Sequence, residues 1–378
     1  MPEYILLKQP CKLEEFCASL AGEQELALDL EADSLHHYRE KVCLLQLSNR
    51  RETWLLDPLL VRDLSPLAPL LADPQRLVVL HGGDYDIRSL HRDFGISIGR
   101  MFDTMIAAQF CGITEFGLAA LLRTSFGIEL DKRFQKADWS RRPLTPEMAD
   151  YAAHDTAHLL DLADQLRGRL QRLGRLDWVA EECSLVVKNR MTEKGDGPLF
   201  INCKGAGKLK PRNLAILEGL LQLRDRLARE LDRPAFKIMP SEALLKLAEV
   251  MPKEVREIGQ IPGLTPRLLG RFGEQLLESI RQAQQLPERS LPRYPRSTGE
   301  PNPGIKARIA RLKTWRGELA NRLELATGLL APNWLLERIA EQRPTSREQL
   351  AAISGVRNWQ LQLWGDDLLR LMMQEPTP

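Results

Sequence analysis

Between Glu25 and Leu80 the apolar residues come in short runs bounded by turn-forming residues: ELALDLEAD, KVCLLQLSN, ETWLLDP and RLVVLHGG. Runs of this length and composition predict β-strands. After Asp84 the apolar spacing lengthens to the helical period through YDIRSLHRDF, DTMIAAQF, FGLAALLRTSFG and one long stretch from Pro146 to about Leu173. Strands followed by helices predict an α/β domain built on a mixed sheet. Beyond a Gly- and Lys-rich loop around Lys194 to Pro211 the pattern is helical throughout.

That helical half repeats itself at a shift of 92 residues. Arg224 aligns with Arg316, Ala228 with Ala320, Leu231 with Leu323, Pro240 with Pro332 and Leu244 with Leu336. Ala248, Glu249 and Pro252 then align with Ala340, Glu341 and Pro344, Ile261 and Gly263 with Ile353 and Gly355, and Gly273 with Gly365, without a gap. Recurring Pro and Gly place helix starts and turns at equivalent points, which apolar periodicity alone does not do. Two copies of one small helical domain are expected, joined by the Pro-rich, basic segment PERSLPRYPRSTGEPNPG, which reads as a stiff linker that lets the copies move.

The length of 378 residues fits two to three domains, and 43% hydrophobic with 28% charged residues excludes wholesale disorder. The net charge of +2 conceals an asymmetry: residues 1 to 170 carry 19 Lys and Arg against 26 Asp and Glu, and residues 171 to 378 carry 34 against 25. An acidic front and a basic back suggest a polyanion held by the back half, although solvated helix faces explain the charge alone equally well. Six scattered cysteines form no C-x-x-C pair, so neither a zinc knuckle nor a disulfide framework is expected. The start MPEYILLKQPCKLEEF lacks a signal-peptide pattern and no stretch is long enough to span a bilayer, so a cytoplasmic protein without membrane contact is expected.

Candidate chemistry begins with Asp29-Leu30-Glu31 in the first of these strands. Residues two apart share a strand face, so two carboxylates project side by side. Flanked by Leu28 and Leu30 they repel and are poorly solvated, a penalty that a divalent cation removes. A lone D-x-E is more often the wet face of an edge strand, so further carboxylates are needed. Asp84 and Asp86 lie at the next strand-to-helix junction, where either is suited to cap the helix. Tyr151 and Asp155 stand at i and i+4 on a helix whose start is marked by Thr145 as N-cap and Pro146 in the first turn. Mg²⁺ or Mn²⁺ prefers such oxygen ligands, and two ions about 4 Å apart hold both the attacking water and the leaving oxygen of a phosphoryl displacement. A tyrosine one turn from a ligating Asp is placed to orient that water and to accept or relay its proton.

Asp29, Glu31, Asp86, Tyr151 and Asp155, in that order, resemble the three motifs of the DEDDy exonucleases. LDLEADSLHHYREKVCLLQLS, VLHGGDYDIRSLHRDFG, FDTMIAAQ and the span from ELDKRFQKADWSRRPLT to YAAHD are more similar still to ribonuclease D and its eukaryotic exosome-associated relatives, and the helical repeats resemble HRDC domains in tandem. The resemblance implies a ribonuclease H-like α/β exonuclease domain over residues 1–195, HRDC domains over 208–287 and 304–375, and a linker over 288–303. It implies that Asp29 bridges two divalent cations, that Glu31 and Asp155 complete the water-activating site, that Asp86 holds the second ion directly or through water, and that Tyr151 positions the nucleophile. With Asp150 rather than His five residues before the last Asp, the tyrosine subclass fits. The activity implied is 3′→5′ removal of nucleoside 5′-monophosphates from RNA with a single-stranded 3′ end, such as tRNA precursors, by a monomer.

Other residues are expected in lesser roles. Asp84 adds a carboxylate suited to a cap or an outer shell. His154 and His158, at i and i+4, lack the Glu of a zinc helix and read as surface residues. Gly82-Gly83 after His81 suit a close approach of backbone to substrate. Lys132, Arg133, Lys136, Arg141 and Arg142 form a basic loop in which phosphate contact, by Lys132, Arg133, Arg141 and Arg142 above all, competes evenly with simple solvation. Two alternatives stand beside the RNA exonuclease: a DNA exonuclease, and a nucleic-acid-binding protein with a decayed nuclease domain. The intact five-residue set argues against the second.

Overall fold

The computed structural model of the chain describes residues 3–188, 197–295 and 303–373. These fall into two compact units, one comprising described residues of 1–32, 42–191 and 299–378, the other those of 33–41 and 192–298.

In the first unit the strands are β1 (Tyr4–Leu7), β2 (Glu25–Ala32), β3 (Val42–Ser48), β4 (Thr53–Leu56), β5 (Leu77–Leu80) and β6 (Met101–Asp103). They form one mixed sheet in the order β1-β4-β3-β2-β5-β6. The four expected strands are β2 to β5, with β2 antiparallel to β3 and parallel to β5. β1 and β6, of four and three residues, lie at the two edges and were not expected. β2 is therefore central, and the edge-strand explanation of Asp29 and Glu31 does not apply.

Helices α1 (Cys11–Ser19), α2 (Leu67–Ala72), α3 (Asp84–Phe94), α4 (Thr104–Phe110), α5 (Leu118–Phe126), α6 (Pro146–Ala157), α7 (Leu159–Leu173) and α8 (Leu176–Lys188) accompany the sheet. The expected continuous helix from Pro146 is two, because His158 leaves helical angles at φ −114° and ψ 6°. α6 packs on β2, β3 and β4 through Met148, Ala149, Ala152 and Ala153, which meet Leu44 and Leu55. Small residues bring the helix close to the sheet. At its end the buried Ser48 hydroxyl reaches Thr156 at 2.7 Å and Thr53 at 2.8 Å, so burial of these hydroxyls leaves none of the three unbonded.

The repeat is visible in three dimensions. In the second unit α9 (Pro211–Glu230), α10 (Ala235–Ile238), α11 (Ser241–Val250), α12 (Val255–Ile258) and α13 (Pro266–Gln285) form the first copy. In the first unit α14 (Pro303–Leu323), α15 (Thr327–Leu330), α16 (Asn333–Gln342), α17 (Arg347–Ala351) and α18 (Asn358–Met373) form the second. Left-handed backbone recurs at Asp232 and Glu324, Met251 and Arg343, Gly263 and Gly355. Arg224 donates to the Met239 carbonyl and Ser241, as Arg316 does to Ala331 and Asn333. Of the expected linker, residues 296–302 lie outside the described residues.

The second copy shares one hydrophobic cluster with the exonuclease domain. Trp359 stacks on Trp178 at 5.0 Å and meets Phe110 edge-on at 5.4 Å. Its indole donates to Glu182 at 2.8 Å, while Glu181 accepts the backbone N–H groups of Asn358 and Trp359 at the start of α18. Carboxylates at that end also complement the helix dipole. Trp359→Ala is expected to lower stability in urea unfolding by about 3–5 kcal/mol. A loss within error of zero contradicts this packing.

Candidate active site

Asp29 and Glu31 share one face of β2, opposite Gln46 and Leu44 of β3. Asp86 is the third residue of α3, only 7% exposed. Its helix is aimed by Asp103, a buried side chain at the end of β6. One Asp103 oxygen accepts from Gly82 at 3.0 Å and from Met105 and Ile106, capping α4, and the other accepts from Gly83 at 2.9 Å. Asp155 and Tyr151 come from α6, whose start is capped by Thr145 accepting from Met148 with Pro146 in the first turn. Carboxylate oxygens of Asp29, Glu31 and Asp155 all lie within 4.8 Å of one another. Asp86 stands outside that trio but within its field, acting on Glu31 and acted on by Asp29.

The electrostatics follow from this crowding. Burial, opposed by the hydrogen bond from the Leu30 N–H, pushes the Asp29 carboxyl up to about 7. Glu31 is pushed well up by burial and then by Asp29, Asp155 and Asp86; Asp86 and Asp155 rise for the same two reasons. Among the described residues none of the four pairs with Lys or Arg. Burial and then Asp155, Glu31 and Asp29 also raise the Tyr151 phenol, keeping it protonated, so it orients a partner through its hydroxyl rather than as a phenolate. The donor set is oxygen only, negatively charged and short of countercharge, which fits hard divalent cations such as Mg²⁺ or Mn²⁺. The Tyr151 ring is held by Phe134 and Trp139, each with its centroid 5.9 Å away. A cavity of about 450 Å³ opens beside Tyr151 and Asp155 and is lined also by Arg133, Asp150 and His154.

The remaining candidates are placed as follows. Asp84 is the first residue of α3 rather than its N-cap, which is Gly83, and its carboxylate pairs with Arg88 at 2.6 Å. Gly82 and Gly83 serve the turn, with φ +70° at Gly82, no room for a Cβ at Gly83 beside Leu80, and both N–H groups on Asp103 rather than open to substrate. His81 bonds Thr104, His154 bonds the Asp150 carbonyl, and His158 ends α6. Lys132 is exposed, Arg133 lines the cavity while paired with Asp131, and Arg141 is exposed and paired with Asp138. Arg142 corrects the expectation of phosphate contact. Its guanidinium grips the fully buried Asp57 at 2.6 and 2.8 Å and donates to the Trp139 and Cys43 carbonyls, fastening the loop to the sheet. The sequence reading missed Asp103, Phe134 and Trp139. An Asp-Thr pair opening DTMIAAQF signals the cap, but nothing local signals the two rings.

A profile described as "3'-5' exonuclease" matches residues 4–171 and one described as "HRDC domain" matches residues 213–280 and 305–372. The chain is thus a 3′→5′ exonuclease with two HRDC domains. It is 31% identical to ribonuclease D of Granulibacter bethesdensis over 98% of this chain and 93% of that one, and 30% identical to that of Acidiphilium cryptum over the same shares. The crystal structure of Escherichia coli RNase D, described as an exoribonuclease involved in structured RNA processing, superposes with a TM-score of 0.77 at 27% identity, covering 99% of this chain and 100% of that one. The chain belongs to the ribonuclease D family and is a divalent-metal-dependent 3′→5′ exoribonuclease.

The raised carboxyls predict a pH dependence. The folded, metal-free protein keeps the Asp29 proton up to about 7, against 3.8 for an ordinary Asp, so the unfolded chain releases it first and stability falls as pH rises through that window. Asp29→Asn is expected to raise the melting temperature in chelator at alkaline pH, and saturating Mn²⁺ to raise that of wild type but not of the variant. A variant that melts lower in chelator contradicts the account of buried repulsion.

Proposed function

We propose that Asp29, Glu31, Asp86 and Asp155 hold two divalent cations, Mg²⁺ or Mn²⁺, and that Tyr151 orients the water that attacks the last phosphodiester of an RNA 3′ end. Nucleoside 5′-monophosphates leave one at a time. The observation that carries this reading is the convergence of half-buried and buried carboxylates from β2, α3 and α6, none paired with Lys or Arg among the described residues, beside a protonated phenol. Once bound, the cations supply Lewis acidity at the attacking and leaving oxygens. Asp29 would serve both cations, Glu31 and Asp155 would complete the site that activates the water, and Asp86 would hold the second cation. The Tyr151 hydroxyl fixes the direction of the water, and Phe134 and Trp139 fix the ring. Lys132, Arg133 and Arg141 are offered as phosphate contacts of the entering strand, Arg133 being the one that lines the cavity.

We place this activity in the maturation of tRNA and other stable RNA precursors, carried out by a monomer in the cytoplasm. Six free cysteines accord with a reducing compartment. Among the described residues no helix is long and apolar enough to cross a membrane.

Timed digestion of a 3′-extended tRNA precursor tests the reading. Trimming from the 3′ end is expected, stopped by chelator and restored by Mg²⁺ or Mn²⁺. Asp29→Asn is expected to abolish trimming while leaving RNA binding intact. Tyr151→Phe is expected to lower kcat by about a hundredfold or more with an unchanged melt. Trimming that survives in Asp29→Asn, a wild-type kcat in Tyr151→Phe, or a preference for matched DNA over RNA overturns the assignment.

A further inference from the structure

All seven residues of β3, VCLLQLS, are buried, and two of them, Gln46 and Ser48, are polar. The Ser48 hydroxyl is bonded to Thr53 and Thr156. Gln46 is 0% exposed, and among the described residues neither its amide nitrogen nor its amide oxygen has a hydrogen-bond partner. Exchanging the two ends of the amide in place satisfies neither, since both positions lack a partner. A buried amide unmet at both ends opposes folding, and a Met of similar length fills the space without that cost. Such a group calls for a reason outside folding.

The register of the sheet supplies one. Gln46 is the cross-strand partner of Asp29 on β2, and on its other side it is paired with Leu55 of β4. Directly paired residues share one face of the sheet with Cβ atoms about 4.5–5.5 Å apart, within the span of a glutamine side chain. Above that face, Leu44 and Leu55 join the small residues of α6 in an apolar cluster, and Ser48, two places along β3, is already bonded. The acceptor in register with the Gln46 amide is therefore the Asp29 carboxylate. An ionised carboxylate only accepts hydrogen bonds, at about four lone-pair sites, and bridging two cations occupies about two of them. A donor on the protein side of such a ligand fixes its rotation.

We infer that Gln46 is a positioning residue of the metal site: its amide N–H donates to the Asp29 carboxylate and holds that side chain in the orientation that serves both cations. Gln46 itself touches neither cation nor substrate. Its amide lowers the stability of the metal-free protein and raises the affinity for metal. The inference rests on the two-cation reading of the acidic cluster.

The test uses the full chain and the variants Gln46→Met and Leu44→Met, the second a packing change on the same face opposite Glu31. By isothermal titration calorimetry, Gln46→Met is expected to bind Mn²⁺ about tenfold or more weakly than wild type, and Leu44→Met to bind it as wild type does. In chelator Gln46→Met is expected to melt no lower than wild type. At limiting Mn²⁺ its kcat is expected to fall by a similar factor with an unchanged KM for RNA, and saturating Mn²⁺ is expected to restore it. In wild type labelled with ¹⁵N at glutamine side chains, the Gln46 amide is identified by the pair of cross-peaks missing from Gln46→Met. One of its two protons is expected to move downfield when Mg²⁺ is added. Mn²⁺ affinity within twofold of wild type in Gln46→Met overturns the inference, as does an equal loss in Leu44→Met, a lower melt of Gln46→Met in chelator, or a Gln46 amide that Mg²⁺ leaves unmoved. Wild type that binds no Mn²⁺ sinks the two-cation reading and this inference with it, whereas Mn²⁺ bound equally well by wild type and Gln46→Met sinks this inference alone.

Discussion

Half-buried carboxylates brought within reach of one another, with no Lys or Arg paired to them among the described residues, are the constraint around which the exonuclease domain is built. Asp29, Glu31 and Asp155 repel, and each would relax away from the others if its backbone allowed it. The surrounding structure prevents this at three points. Asp103 binds the Gly82-Gly83 turn and caps α4, which fixes the start of the helix carrying Asp86. Ser48 and Thr156 lock the end of α6 to the sheet. Arg142 on Asp57, with Trp139 beneath Tyr151, holds the loop that leads into α6. None of these groups belongs to the acidic cluster, yet without them its geometry has no support.

Much of this was legible in the sequence, for identifiable reasons. Strand alternation put Asp29 and Glu31 on one face, and helical spacing put Tyr151 and Asp155 on another. The Thr145-Pro146 start was readable because capping is local chemistry. The exact repeat register was readable because Pro and Gly mark fixed backbone angles, which the structure repeats at Gly263 and Gly355. What escaped was decided by tertiary pairing. β1 and β6 are too short to carry a periodic signal. Asp57 and Arg142 are 85 residues apart, so a loop arginine that reads as a phosphate contact is instead a half-buried clamp on a buried aspartate. Gly82 and Gly83 read as open backbone because the carboxylate that occupies their N–H groups lies on another strand.

Duplication followed by specialisation explains why the helical half is basic overall but not uniformly so. Both copies keep an arginine that donates to the same backbone carbonyl position and the same left-handed turns, which are conditions of folding. They differ at many other positions, among them those of one outer face. In the second copy aromatic and aliphatic residues there join the cluster of the exonuclease domain, so that copy is part of the catalytic unit rather than a separate module.

The central claim is that the acidic cluster exists to bind cations. Anomalous scattering from crystals of the protein grown with Mn²⁺ and an uncleavable 3′ end tests it directly. The account predicts two manganese peaks about 4 Å apart, ligated by Asp29 in common, with Tyr151 within hydrogen-bonding reach of the water between metal and phosphorus. A site without manganese, or manganese bound elsewhere while these four carboxylates stay protonated, contradicts it.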